Sequence, residues 1–135
     1  MIRRMNHPLE QVTYRVQMET RQWLSIDSTM DNEVSTEAQD GDPHHIVDLG
    51  MSIRQAGWDQ IPGWPQHVEG FRNWPPPGQL TTMILTGAQW GLVVSALECW
   101  ADVSESIDRA DEAEQSRAIA ALTRVQLAEQ GWSPR

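Results

Sequence analysis

Thr86 and Gln89 constrain this chain more than any other two residues. A Thr three positions ahead of a Gln, directly before an apolar periodic run, forms a capping box in which each side chain satisfies an otherwise orphaned backbone N–H, so a helix begins there. Beyond it Trp90, Val93, Val94, Leu97 and Ala101 recur at the spacing of one helix face. Leu92, Ala96, Cys99 and Val103 widen that stripe, leaving Ser95, Glu98, Asp102 and Glu105 for solvent. After a polar turn near Asp108, a second helix carries Ile119, Leu122 and Val125 inward and closes near Gly131. Residues 86–131 are therefore predicted to form a helical hairpin that buries Trp90, Leu97, Leu122 and Val125.

Two stretches show the period of a strand. Val12, Tyr14, Val16 and Met18 alternate with Thr13, Arg15, Gln17 and Glu19, and the run Leu80 to Leu85 is short, apolar and rich in β formers. A third helix is expected from Asp42 as N-cap and Pro43 at the first helical position, with Ile46, Leu49, Gly50 and Ile53 on its inner face and Gly57 closing it. Gly50 in mid-helix implies close approach by another element. The expected fold class is α+β and predominantly helical, with about three helices including the C-terminal hairpin and two short strands. At 135 residues, one domain over 1–135 is the default.

Two further segments resist regular structure. Residues 27–42 hold Asp27, Asp31, Glu33, Glu37, Asp40 and Asp42 and no basic side chain, with only Met30, Val34 and Ala38 apolar, and read as a solvated acidic loop. Residues 57–78 are rich in Trp, Pro and Gly, with a short echo of Gly57-Trp58-Asp59-Gln60-Ile61-Pro62 in Gly63-Trp64-Pro65-Gln66-His67-Val68. Their prolines, ending in Pro75-Pro76-Pro77, prevent long helices and favour turns and polyproline II geometry.

The run Ile84-Leu85-Thr86-Gly87-Ala88-Gln89-Trp90, leading into an alanine-rich hairpin, resembles small uncharacterised proteins of actinobacteria and their phages. The resemblance covers the last third of the chain and implies no function.

Several chemistries are closed to this sequence. All ten positive side chains are arginine. Without lysine there is neither a Walker-type phosphate loop nor a Schiff-base amine. The net charge of −9 is concentrated in residues 25–70, where Arg54 stands alone against nine carboxylates, the opposite of the basic face a nucleic-acid binder needs. No apolar run approaches the roughly 18 residues of a membrane span, and the opening Met-Ile-Arg-Arg-Met-Asn-His-Pro does not read as a secretory signal. A single cysteine cannot make an internal disulfide, so the cytoplasm is the expected location.

Candidate sites were weighed against simpler roles. His44 and His45 could pair with Asp48 on a helix face, but adjacent histidines diverge and only His67 lies nearby, so a solvated helix start is expected and no metal or cofactor. Cys99, on the apolar stripe, is expected to be buried and inert. Asp111, Glu112 and Glu114 suit the dipole of a helix start better than a catalytic dyad. No catalytic residue is assigned, and a small enzyme is the least favoured class.

Seven tryptophans remain. Trp58, Trp64 and Trp74 stand beside prolines in the irregular segment, with Phe71 among them, and tryptophan is enriched in binding hot spots because it buries a large rigid surface. The expectation is a non-enzymatic interaction or assembly protein whose Trp58, Trp64, Phe71 and Trp74 contact a protein partner. The alternative is an inhibitor that mimics nucleic acid with the carboxylates of residues 27–48 and occupies a basic groove.

Overall fold

A computed structural model describes residues 12–134. The N-terminal octapeptide read above for a signal lies outside that range. The chain runs β1 (Thr13–Glu19), α1 (Thr20–Gln39), α2 (Val47–Gln60), a 3-10 turn (Val68–Arg72), β2 (Leu80–Thr86), α3 (Gly87–Ser106) and α4 (Ala110–Glu129). The class is α+β, as expected, with four described α-helices rather than three.

β1 and β2 pair antiparallel, Thr13 opposite Thr86 and Glu19 opposite Leu80. Alternation puts Val16, Met18, Met83 and Leu85 on the buried face, against the helices, and Arg15, Gln17, Thr82 and Ile84 on the solvent face. Each strand passes directly into a helix. Gln89 Oε1 accepts the Thr86 N–H and Thr86 Oγ1 accepts the Gln89 N–H, at 2.8 and 3.2 Å, so the predicted capping box is present. Gln22 Oε1 accepts the Glu19 N–H in the same way at the start of α1. Helices α1 and α2 pack as one pair, α3 and α4 as another, and α1 against α3 joins them. At the centre Trp23 and Trp90 meet edge to face with centroids 6.4 Å apart, both fully buried.

A two-stranded ribbon leaves both edges unpaired, and here glutamine side chains complete them. The amide of Gln126 exchanges two hydrogen bonds of 2.8 Å with the backbone of Gln17, and Gln130 does the same for Arg15 at 2.9 and 2.6 Å. On the opposite edge Gln60 pairs with the Ile84 backbone at 2.9 and 2.8 Å. A primary amide carries the same donor and acceptor as a peptide group, so each glutamine stands in for one residue of a missing strand.

The acidic loop expected over 27–42 is instead mostly helix. α1 buries Trp23, Ile26, Thr29, Met30 and Glu37, and its acids find partners far along the chain. Arg54 clasps Asp27 at 3.0 and 3.3 Å and Asp31 at 3.1 Å, and Trp100 Nε1 donates to Glu33 at 2.9 Å. The following helix starts later than expected: Asp42, with φ of 57°, forms a turn, and its carboxylate accepts the N–H groups of Ile46 and Val47 ahead of α2. Gly57 does not close that helix. It lies buried inside α2 against the indole of Trp23, where a Cβ would collide with Nε1.

The hairpin is as expected, with Trp90 and Leu97 fully buried and Leu122 half-buried, but three positions differ. Val125 is 59% exposed, Val103 39%, and Cys99 is exposed. α3 buries the narrower stripe of Trp90, Val93, Val94, Ala96, Leu97 and Ala101, and Cys99 lies off it; α4 turns Ala113, Ile119, Ala120, Thr123 and Leu127 inward instead of Val125. Among the described residues no helix is long and apolar enough to cross a membrane.

Candidate aromatic interaction site

The segment between α2 and β2 is irregular apart from its 3-10 turn, as its prolines demand. Its rings make a small core of their own. Trp64, Phe71 and Trp74 form a triangle with centroids 6.2, 5.4 and 5.8 Å apart, two of the contacts edge to face. Two glycines permit it: Gly63 adopts a φ of 79° next to Trp64, and Gly70 lies so close to Pro65 that an added Cβ would be 2.7 Å from the proline Cβ. The segment's end is tied down by Gln79, whose carbonyl accepts the Thr20 N–H and whose amide donates to Thr20 Oγ1.

These rings are not equally available. Trp64 and Trp74 are half-buried and pack against the main core, whereas Phe71 is 38% exposed. Centroids this close leave no space between the three rings for a ligand group, so the triangle acts as a support and its outer edge as a surface.

Trp58 lies outside the triangle and outside the irregular segment. It sits on the last turn of α2, 36% exposed, with the Arg54 guanidinium 5.3 Å from its ring centroid. The hydrogen bond to Asp27 and the charges of Asp27 and Asp31 raise the Arg54 pKa above its ordinary value, outweighing partial burial. Between Trp58 and Trp64 runs an open groove of about 540 Å³ lined also by Asp59, Ile61, Pro62 and Pro65. The structure thus separates the four residues singled out in the sequence: Trp58 and Trp64 line the groove, whereas Phe71 and Trp74 do not and meet Trp64 in the triangle.

Two of the remaining candidates, His44 and Glu112, are engaged by partners within the fold. His44 lies in the turn before α2, its Nδ1 3.1 Å from Glu37 Oε1 and its backbone N–H bonded to the same carboxylate. Asp111 and Glu112 occupy the first turn of α4, where Arg109 reaches Glu112 at 3.3 Å. Glu98 is bound at 2.8 and 2.9 Å by Arg124, whose hydrogen bond lowers its pKa. Among the described residues no three His, Cys, Asp or Glu side chains converge as a metal site would require. Sequence reasoning missed the glutamine plugs and the role of Trp132, whose indole N–H donates to the Gly87 carbonyl at 3.2 Å.

No family model matches the chain, and no curated protein or solved structure matches it either.

Proposed function

We propose that this protein is a non-enzymatic interaction component that engages a protein partner through the groove between Trp58 and Trp64 and the exposed face of Phe71. One observation carries the reading. Trp64, Phe71 and Trp74 are gathered on the irregular segment that follows α2, next to Trp58 on that helix's last turn, and Trp58 and Phe71 keep over a third of their surface in water. Rings held by prolines and by each other lose little freedom on binding, which favours affinity without a larger interface.

Mimicry of nucleic acid has less support, because five of the seven acids it would use are occupied. Of those in residues 27–48, Asp27 and Asp31 hold Arg54, Glu33 holds Trp100, Glu37 holds His44 and Asp42 caps α2.

The test is capture of partners from an extract of the source cells by the wild-type chain, followed by affinity measurement on the identified partner. Trp58→Ala and Phe71→Ala should each weaken binding by about 2 kcal/mol or more while stability changes little. Unchanged affinity in both, or binding that collapses between low and high salt as mimicry requires, overturns the proposal.

A further inference from the structure

The described chain reads β-α-α twice; the strand and long helix of each reading share the same lengths, whereas the second helices, Val47–Gln60 and Ala110–Glu129, differ. β1 and β2 are seven residues each with the same alternation of buried and exposed positions, and α1 and α3 are twenty residues each. Both helices open on a Gln whose Oε1 takes the cap N–H, followed at once by a fully buried Trp. Ile26, Thr29 and Met30 are buried in α1 where Val93, Ala96 and Leu97 are buried in α3. Each unit ends alike, on a glycine of positive φ and a tryptophan packed against the core: Gly63-Trp64 and Gly131-Trp132.

The contacts between the units obey one rule. Val16 faces Met83 in the ribbon, Trp23 meets Trp90 edge to face, and Trp100 donates to Glu33; in all three pairs the partners lie 67 residues apart. Equivalent residues touching one another is the signature of a two-fold axis, and the antiparallel register allows only the pair Val16 and Met83 to lie on it. The edge plugs follow the same operation to within one residue: Gln60 closes Ile84 and Gln126 closes Gln17, the covered residues lying 67 apart and the glutamines 66.

We infer that residues 13–64 and 80–132 are two copies of one β-α-α unit, and that the surface each buries against the other is an isologous dimer interface whose natural fit is a second copy of the same unit. Residues 65–79 are then the tether of a covalent pseudo-dimer.

Two full-length rearrangements test this. The first is a permuted chain in the order 1–11, 80–134, 65–79, 12–64, which asks the native tether to join the other pair of ends. It should melt cooperatively as a monomer with near-ultraviolet dichroism unchanged, because two-fold equivalence makes both junctions alike. The second carries residues 80–132 in place of 13–64 as well as in their own place, with Met83→Val and Trp100→Glu in the first copy to restore the contacts at the axis. It should fold as a monomer whose amide spectrum shows nearly coincident signals for the two halves away from those substitutions. Failure of the permuted chain overturns the inference. So does a duplicated chain without a cooperative transition when the permuted chain folds, because the halves would then associate without sharing a surface.

Discussion

The first β-α-α half and the second solve one problem with different residues. Both carry a carboxylate at the same place on the long helix, Asp31 in α1 and Glu98 in α3, and both bind it with an arginine from the next helix. In the second half that arginine is Arg124, two residues before the plug Gln126. In the first half the position two before the plug Gln60 is Trp58, and the arginine has moved one helical turn back to Arg54. The displaced guanidinium reaches a second acid, Asp27, and lies over the ring that took its place. What the halves share here is a carboxylate held by an arginine from the next helix; where they differ, the first half exposes Trp58 beside the groove, the ring on which the proposed binding role rests.

The largest expected effect comes from the shared centre. Trp90→Ala should cost about 3 to 5 kcal/mol in denaturant titration, as should Trp23→Ala. The gentler change to Phe breaks the symmetry: Trp90 Nε1 donates to the Tyr14 carbonyl at 3.0 Å, whereas Trp23 Nε1 is buried without a partner among the described residues. Trp90→Phe should therefore be the costlier by about 1 to 3 kcal/mol, while Trp23→Phe removes an unsatisfied donor. Equal costs would show that the two indoles are anchored alike.

Next come the half-buried rings of the aromatic triangle against the exposed ones. Trp64→Ala and Trp74→Ala should each lower the unfolding free energy by about 3 kcal/mol, because both pack on the core, whereas Trp58→Ala and Phe71→Ala should show their main effect in partner affinity. A stability loss of that size in the exposed pair would return the whole segment to scaffold.

In the hairpin, Leu97→Ala should cost about 2 to 5 kcal/mol and Val125→Ala less than about 0.5 kcal/mol. Thermal melts of the two single variants would check this contrast, and similar values would contradict the burial of α4.

The smallest effect concerns pH. Arg124 holds the Glu98 carboxyl below its ordinary pKa, so the pair stabilises the fold above the unfolded carboxylate value of about 4.3 and loses that contribution as pH falls through the lower folded value. Both side chains are at least 40% exposed, which limits the effect to well under about 1 kcal/mol. Glu98→Gln should flatten the acid limb of the stability profile by that small amount, as read from chemical denaturation at pH 3 to 6.

The second half was legible in the sequence because its signals are local. Thr86 and Gln89 are three residues apart, and the stripe from Trp90 to Ala101 needs no partner to be recognised. The first long helix was hidden because its stabilising contacts come from elsewhere: Asp27, Asp31 and Glu33 look like a solvated run until Arg54 and Trp100 arrive from 23 to 67 positions away. The duplication was hidden for a related reason. Packing conserved volume and period across the two halves, Val16 for Met83 and Ile26 for Val93, and little beyond Gln-Trp survived as identity. The four aromatic residues of the candidate site were legible as a group, but their division into the groove-lining Trp58 and Trp64, the exposed Phe71 and the half-buried Trp74 required the fold.

The glutamine plugs also set an order for how the chain can be finished during synthesis. β1 leaves the ribosome first, yet it has no strand to pair with until Leu80–Thr86 follows, and its outer edge stays open until Gln126 and Gln130 arrive, 109 and 115 residues after the backbone they cover. Contacts of such long sequence separation slow folding, since the chain between them must first be gathered in. The nascent first half therefore carries an uncovered strand edge until α4 has been synthesised, and docking of that helix is the event that removes it.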